Sequence, residues 1–145
     1  MKIKTLTICC SASFYNQALE IKEKLEKMGF QVKVPLGATR LKEDKGFNPE
    51  AHKSSYIEKE DWHIKAELIK IHFKKILEAD AIVVVNFEKH DTLGYIGGNT
   101  LMEMALAFHY KKPIYILSPV SKESSFYEEI MGMQPIFLNG DLNKI

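Results

Sequence analysis

Residues 97–108 contain one acidic side chain, Glu103, among residues that are mostly apolar. Their sequence is GGNTLMEMALAF, and they follow an apolar, β-branched run at 81–85. That run is typical of a strand covered on both faces in a parallel sheet. The helix after it has almost no polar face, so we expect it to be packed on most sides. A buried carboxylate is unfavourable unless a specific group holds it. Because Glu103 also follows the end of a parallel strand, where open α/β sheets bind ligands, we predict a catalytic role for it.

A structural role is the alternative for Glu103. Residues 100–103 fit the S/T-x-x-E capping box, in which the glutamate bonds back to the main-chain N–H of the cap residue. The two roles differ in the direction of the side chain, toward a pocket or toward the helix's own first turn. Gly97, Gly98 and Asn99 lead into the helix. We expect the glycines to stand where a Cβ would obstruct a tight turn or a close ligand.

A second group of candidate residues follows the first predicted strand. Cys10, Ser11 and Ser13 precede a helix, whose free N–H groups and dipole favour an anion such as phosphate. The alternative is that Ser13 only caps the helix. Cys9 and Cys10 are the only cysteines and are adjacent, so we expect no disulfide within the chain, and the thiols either pack in the core or line the site. Neither the cysteines nor the histidines have zinc-ligand spacing, so no metal is expected.

Alternating strands and helices must position these residues. The sequence predicts strands at 3–10, 30–34, 81–85, 113–117 and 135–138, and helices at 15–28, 62–78, around 100–108 and at 126–131. In helix 62–78 an apolar stripe includes Trp62 and Leu77, and His72 borders it. Asp80 precedes the third strand at the edge opposite the expected pocket, so we assign it a capping or surface role. Asn86 ends that strand on the binding side.

The motif around Glu103 also resembles a known family. Residues 98–105 read GNTLMEMA, after the strand ADAIVVV and before Lys112-Pro113-Ile114. This arrangement resembles the nucleoside 2-deoxyribosyltransferase and 2′-deoxynucleoside 5′-phosphate N-hydrolase superfamily, in which G-T-x-x-E-x-G-x-A follows a small-residue loop. The resemblance covers most of the chain. It implies that Glu103 attacks the anomeric carbon of a (deoxy)ribose and carries the sugar as a glycosyl-enzyme. It also implies that a 5′-phosphate lies near residues 11–13.

Two positions depart from the pattern of that superfamily. An aspartate that positions the sugar or assists proton transfer stands eight residues before the Ala-Asp aspartate, and His72 occupies that position here. A histidine can do acid–base chemistry near neutral pH, or it can be structural at a helix boundary. Transferases carry an acidic residue six positions before the glutamate, where this chain has Gly97. Some hydrolase relatives have a small polar residue there, so the resemblance favours hydrolysis over base exchange.

The resemblance also extends to parts of the pocket that lie further along the chain. We expect Asn86, Gly97 and Gly98 to border the base or the sugar. In the resembled superfamily a neighbouring subunit completes the pocket, which implies a homodimer and makes Ser125 and Tyr127 candidates for substrate binding. Ordinary surface contact is the alternative for these two residues.

Residues 37–61 are dense in mixed charges and poor in apolar side chains. We expect a surface segment, partly helical from about Pro49 onward, that acts either as a mobile lid or as a solvated linker. His52, Lys53 and Tyr56 could reach a ligand from it.

Composition limits the class of protein. The 145 residues are 46% hydrophobic and 27% charged, as is usual for one globular domain, and the net charge of +1 gives no electrostatic basis for binding duplex nucleic acid. No membrane span or export signal is evident, so we expect a cytoplasmic protein that acts on a small-molecule nucleoside or nucleotide without a cofactor. The predicted fold is one α/β domain over residues 1–145, a five-stranded parallel sheet of flavodoxin-like order with helices on both faces.

Two other functions remain open at this point. A non-catalytic nucleotide-sensing module would use the same cleft and would be stabilised by a ligand without turnover. A flavin-binding electron-transfer domain would be yellow as purified, since Ser-x-Ser at 11–13 is similar to the hydroxyl-rich phosphate loop of flavodoxins. No aromatic pair obviously flanks a flavin ring, and Gly94, Gly97 and Gly98 lack the spacing of a Rossmann or Walker motif.

Overall fold

Five parallel strands form one sheet in the order β2-β1-β3-β4-β5. The computed structural model describes residues 2–44, 46, 48–49 and 61–145. The strands are β1 (Thr5–Cys9), β2 (Gln31–Lys33), β3 (Ala81–Val84), β4 (Ile114–Ile116) and β5 (Ile136–Phe137). The helices are α1 (Tyr15–Lys27), α2 (Leu36–Glu43), α3 (Trp62–Glu78), α4 (Gly98–His109) and α5 (Tyr127–Gly132), with short 3₁₀ turns at Ala12–Phe14 and Leu142–Lys144.

The strand order confirms the predicted fold. All four neighbouring pairs are parallel, with β1 central between β2 and β3, and Cys9 paired with Val84 at the carboxyl end of the β1–β3 ladder. This order is that of flavodoxin-like, doubly wound sheets. The chain leaves β1 toward β2 and later returns to β3 on the other side. The reversal opens a crevice at the carboxyl ends of β1 and β3, where such sheets bind ligands.

Helices cover both faces of the sheet, because consecutive strand residues point to opposite sides. One face packs Leu6, Ile8 and Cys10 of the β1 region against α1 and α2. The other face packs Cys9 with buried residues of α3, α4 and α5, among them Ile76 and Met104. The two adjacent cysteines therefore belong to different cores, which places the Cys9 thiol on the side of α3 and α4.

The structure confirms the predicted role of Asp80. Its Oδ2 accepts hydrogen bonds from the main-chain N–H groups of Lys4 and Thr5, at 2.9 and 3.0 Å. These bonds tie the start of β3 to the start of β1, at the amino edge of the sheet. Asp80 thus aligns two strands and lies away from the crevice.

Three expectations about helices were wrong. Residues 36–43 form α2, whereas the sequence predicted irregular chain from Gly37 onward. This short helix buries Ala38 against the α1 face of the sheet, a contact that its own charged sequence does not indicate. Trp62 and Leu77 were predicted in the apolar stripe of α3, yet both are exposed at 55% and 43%. Helix α4 also has an open side that includes Met102 and Phe108, so it is not packed on most sides.

The lid or linker interpretation of residues 37–61 and the three ligand candidates within it fall largely outside the described residues. His52, Lys53 and Tyr56 are among the undescribed positions. Among the described helices, none has the length and hydrophobicity that a bilayer-spanning segment needs.

Candidate active site

A cleft opens at the carboxyl edge of the sheet, beside the ends of β1 and β3. Its cavity volume is about 170 Å³, and it opens to solvent at its mouth. Its described walls come from the turn after β1, from α2, from one side of α3, and from the segment that leads into α4. The expected binding edge is therefore the edge at which the chain forms a cavity.

Glu103 lies at the inner end of this cleft, one and a half turns into α4. Its side chain is 7% exposed, and its Oε2 is 3.3 Å from Nε2 of His72 on α3. The helix begins at Gly98 with Gly97 as its cap residue and with no side-chain cap hydrogen bond. Thr100 is thus inside the first turn, and no described residue makes a hydrogen bond to its buried hydroxyl. The geometry excludes the capping box, and the carboxylate faces another side chain at the cleft.

His72 connects Glu103 to a third buried group. Its Nε2 is also 3.6 Å from Sγ of Cys9, at the end of β1. His72 is 5% exposed, and its Nδ1 finds no hydrogen-bond partner in the described part of the chain. Cys9, His72 and Glu103 come from β1, α3 and α4, so the three elements around the crevice each contribute one titratable side chain to the same point.

Burial sets the protonation of this cluster. Burial raises the pKa of Glu103 from 4.5 to about 8, against the opposing positive charge of Lys65. Burial and the charge of Lys75 lower the pKa of His72 from 6.5 to about 4. An interaction with the Ile8 main chain opposes this fall in pKa, although its geometry is not that of a regular hydrogen bond to Nδ1. Burial and the neighbouring Glu103 carboxylate raise the pKa of the Cys9 thiol well above its usual range. At neutral pH the imidazole and the thiol are therefore uncharged.

The mouth of the cleft is basic. Among its described lining residues the cations are Arg40, Lys65 and Lys89, and the only acid is Glu103. Lys89 Nζ donates to Ser11 Oγ at 3.2 Å and lies 5.4 Å from the ring centroid of Tyr95. Lys65 Nζ donates to Oδ1 of Asn99 at 3.1 Å. Because His72 is neutral, the site carries an excess of positive charge, which favours an anionic ligand.

The backbone conformation does not require glycine at Gly97 and Gly98, where α4 begins. Gly97 has φ −86° and ψ 176°, which any residue can adopt, and a Cβ on Gly98 would meet no described atom within 4 Å. Gly94 is different, since its φ is +66° and a Cβ there would collide with the main-chain oxygen of Pro119. The expected tight turn therefore lies at Gly94. At Gly97 and Gly98 the lack of a side chain keeps the cleft wall open.

The structure brings most of the predicted site residues together. Those that line the cleft with Glu103 and His72 are Cys10, Ser11, Gly97, Gly98 and Asn99. Ser13 lies in the 3₁₀ turn Ala12–Phe14 and is exposed, outside this lining. Ser125 and Tyr127 lie at the start of α5, also away from the cleft of their own chain.

Asn86 holds a position different from the predicted one. It is fully buried, and its Nδ2 donates to the carbonyl oxygens of Gly94 and Ser118, at 3.1 and 2.9 Å. Its Oδ1 accepts from the Ser118 N–H at 2.9 Å. The amide thus joins the loop after β3 to the segment after β4, and it does not border the cleft.

Sequence reasoning missed four residues of the site. Cys9 was not separated from Cys10, although the alternation of side chains along a strand places the two on opposite faces. Arg40, Lys65 and Lys89 gave no local signal, because their convergence depends on the packing of α2, α3 and the loop after β3 around one cleft.

Comparison with known proteins supports the fold. No protein-family model matches the chain, and no curated protein sequence matches it. Among solved structures, a 2-deoxyribosyltransferase from the psychrotolerant bacterium Bacillus psychrosaccharolyticus, described as a biocatalyst for nucleoside synthesis, superposes with a TM-score of 0.51. The sequence identity is 14%, and the match covers 85% of this chain and 78% of that one. The chain is thus an α/β protein of Rossmann-like architecture whose fold is similar to that of this transferase.

Proposed function

We propose that the protein cleaves the N-glycosidic bond of a (deoxy)nucleoside 5′-monophosphate through a glycosyl-enzyme intermediate on Glu103. The observation that carries this proposal is the position of one acid, buried at the inner end of a cleft at the carboxyl edge of the sheet and facing His72 at 3.3 Å. The similarity in fold to a 2-deoxyribosyltransferase supports the same chemistry. The rest of the cleft agrees with it, because its mouth is basic and its wall at Gly97 and Gly98 is bare.

The chemical step is a displacement at the sugar. Glu103 attacks in its ionised form, which is a minority at neutral pH because burial raises its pKa to about 8. One carboxylate oxygen donates an electron pair to C1′ and forms an ester-like bond, while the C1′–N bond breaks and its electron pair leaves with the base. The base takes a proton from solvent or from a cleft side chain. A water molecule then attacks C1′, loses a proton and releases the sugar, which returns Glu103 to its carboxylate form. Two displacements at one carbon retain the anomeric configuration.

His72 acts in this scheme as the partner of the carboxylate. A neutral imidazole with its hydrogen on Nε2 donates to the Glu103 oxygen that it faces, which orients the carboxylate and favours its ionised form. The pKa of about 4 keeps the ring uncharged at neutral pH. His72 is therefore a positioning residue, placed where the resembled superfamily has an aspartate.

The basic mouth supplies the affinity for the phosphate. Arg40 from α2 and Lys89 from the loop after β3 line the same cleft as the Ser11 hydroxyl. Charge-assisted hydrogen bonds from such groups are the strong ones in phosphate recognition. The 5′-phosphate is thus assigned to the end of the cleft near Ser11, with the sugar toward Glu103.

Hydrolysis is preferred over transfer to a second base because Gly97 replaces the acidic residue that contacts the base in the resembled transferases. A homodimer in which Ser125 and Tyr127 of a neighbouring subunit complete the pocket belongs to the same proposal. Cross-linking of a single-cysteine variant at position 125 would test it, since a dimer that places residue 125 at the pocket mouth gives a substrate-sensitive cross-link.

The activity is tested by incubating the full chain, in buffer with a chelator, with a panel of ribo- and deoxynucleosides and their 5′-monophosphates. Free base is measured by chromatography. The proposal expects base release from monophosphates, and loss of release by at least about a thousandfold in Glu103→Gln, in line with removal of a nucleophile. Ligand-induced thermal stabilisation of the wild type with no base released from any substrate would favour the non-catalytic nucleotide-sensing module instead.

A further inference from the structure

The Cys9, His72 and Glu103 side chains form a cluster that the glycosidase chemistry does not fully use. One ligand atom from each lies within 4.8 Å of both others, and all three residues are buried. The nucleophilic role needs Glu103 and an orienting partner. It gives no task to the Cys9 thiol, which lies 3.6 Å from the same ring nitrogen that faces the carboxylate.

Hydrogen bonding alone does not satisfy this arrangement. A ring nitrogen carries either one hydrogen or one lone pair, so Nε2 of His72 can make one good hydrogen bond in the plane of the ring. Two groups, Cys9 Sγ and Glu103 Oε2, face that single nitrogen. On the far side of the ring, the buried Nδ1 has no hydrogen-bond partner among the described residues. One of these two groups therefore lies beside Nε2 without a good hydrogen bond to it.

Two of the three separations between the ligand atoms match the edges of a metal coordination shell, and the third is below 4.8 Å. Zinc binds thiolate sulfur at about 2.3 Å, and imidazole nitrogen and carboxylate oxygen at about 2.0–2.1 Å, with tetrahedral angles. Those lengths separate sulfur from nitrogen by roughly 3.6 Å and nitrogen from oxygen by roughly 3.4 Å. The observed separations are 3.6 Å for Cys9 and His72 and 3.3 Å for His72 and Glu103. An ion could therefore bind with little movement of the backbone.

The ligand types select the class of metal. A thiolate and an imidazole suit a borderline ion such as Zn²⁺ or Co²⁺, whereas Mg²⁺ and Ca²⁺ prefer oxygen ligands alone. Three protein ligands leave the fourth tetrahedral position open, as in catalytic rather than structural zinc sites. His72 and Glu103 line the cleft, so an ion has a route of entry to the cluster.

We propose that Cys9, His72 and Glu103 bind one Zn²⁺ ion per chain, and that the bound ion silences the Glu103 nucleophile. On binding, the Cys9 thiol and the protonated fraction of Glu103 release their protons to solvent, and the His72 hydrogen moves from Nε2 to Nδ1. The sulfur, Nε2 and a Glu103 oxygen then each donate an electron pair to the ion. A carboxylate electron pair held by zinc cannot attack C1′. The silencing part rests on the proposed function, whereas the metal site itself does not.

Zinc binding is measured on the full chain after treatment with a chelator, by competition with a chromophoric zinc indicator. The wild type is expected to bind one Zn²⁺ per chain and to leave Mg²⁺ unbound. Cys9→Ala should weaken zinc binding by at least about 100-fold, because even the loss of an outer-shell partner costs 10–100-fold. The matched control is Cys10→Ala, which removes the neighbouring buried thiol on the opposite face of β1 and should leave zinc affinity within about threefold of the wild type.

Cobalt gives a readout that does not depend on a variant's folding. Co²⁺ added to the metal-free wild type should produce a sulfur-to-metal charge-transfer band and the intense visible bands of tetrahedral cobalt. Absence of these bands, or zinc binding that is equal in Cys9→Ala and the wild type, would overturn the metal site.

Silencing is tested separately by base release. One equivalent of Zn²⁺ should abolish wild-type activity, a chelator should restore it, and Cys9→Ala should remain active in zinc. Full activity of the zinc-loaded wild type would refute the silencing and leave the measured binding intact. A chain that binds zinc and never releases base would refute the proposed function instead, so the two failures are distinguishable.

Discussion

The buried carboxylate makes a prediction about stability that does not depend on any substrate. Replacing Glu103 by Gln keeps the shape of the side chain and removes its ionisation. Because the folded-state pKa of about 8 lies above the ordinary value of 4.5, the stabilising contribution of Glu103 is complete below pH 4.5 and is lost as the pH rises through about 8. Glu103→Gln should therefore gain stability over the wild type as the pH increases.

The magnitude follows from the pKa. Each tenfold change in the ionisation constant corresponds to about 1.4 kcal/mol. Because Glu103 ionises above pH 4.5 in the unfolded chain but only near pH 8 in the folded chain, it lowers stability by about 1 kcal/mol at a pH of about 5.5 and by about 4 to 5 kcal/mol at a pH of about 8.5. The stability difference between Glu103→Gln and the wild type should grow by about 3 kcal/mol between these two values. The contribution of His72 to stability has the opposite pH dependence, since it is lost as the pH falls through about 4. Both proteins contain His72, so its contribution does not enter the difference between them.

The assay is urea unfolding of both proteins at the two pH values, in buffer with a chelator, followed by circular dichroism. Fluorescence is a poorer probe because Trp62, the single tryptophan, is 55% exposed. Glu78→Gln is the matched control, a change at an exposed carboxylate in α3. Its difference from the wild type should stay nearly constant with pH. An equally constant difference for Glu103→Gln would refute the conclusion that burial raises the pKa of Glu103.

Three further predictions concern the walls of the cleft and the loops behind it. Gly98→Ala should keep stability or raise it by up to about 1 kcal/mol, because alanine is a better helix former than glycine. The same variant should bind a nucleotide more weakly, as measured by calorimetry. Gly132→Ala, at another position with open space for a Cβ, should not change nucleotide binding. Lys89→Met should lower the affinity for a monophosphate by roughly 10- to 100-fold and leave the affinity for the nucleoside nearly unchanged, since it removes one charge-assisted bond. Asn86→Ala should destabilise the fold by about 2–4 kcal/mol in urea unfolding, because three main-chain groups lose their hydrogen-bond partner. A loss of nucleotide binding without a loss of stability would instead place Asn86 at the ligand.

The fold could be predicted because its signals are local and strong. The uninterrupted apolar run at β3 indicates a strand buried on both faces, and the periodicity of α3 gave its bounds, Trp62–Glu78, without error. Helix α2 was missed because LGATRLKE has few apolar residues. The position of α2 depends on its close packing against α1, because a Cβ on Gly37 of α2 would come within 2.6 Å of the ring of Tyr15 in α1.

The site was predictable only in part. Glu103 stood out because an isolated acid in an apolar helix is rare, and the edge of the sheet followed from the parallel strands. What Glu103 contacts could not be predicted, because His72 and Cys9 are 31 and 94 positions away in the chain. Asn86 shows the same limit. A polar residue at a strand end can face a ligand or hold two loops, and the sequence does not say which carbonyls surround it.

The account depends most on a covalent bond between Glu103 and a sugar. Its most direct test is mass spectrometry of the chelator-treated protein after incubation with a 2′-fluoro-2′-deoxynucleoside 5′-monophosphate, because the fluorine slows breakdown of the intermediate. The account predicts a fluorodeoxyribose phosphate adduct on the peptide that contains Glu103, absent in Glu103→Gln. Base release with no adduct on that peptide, or an adduct on another residue, would contradict it.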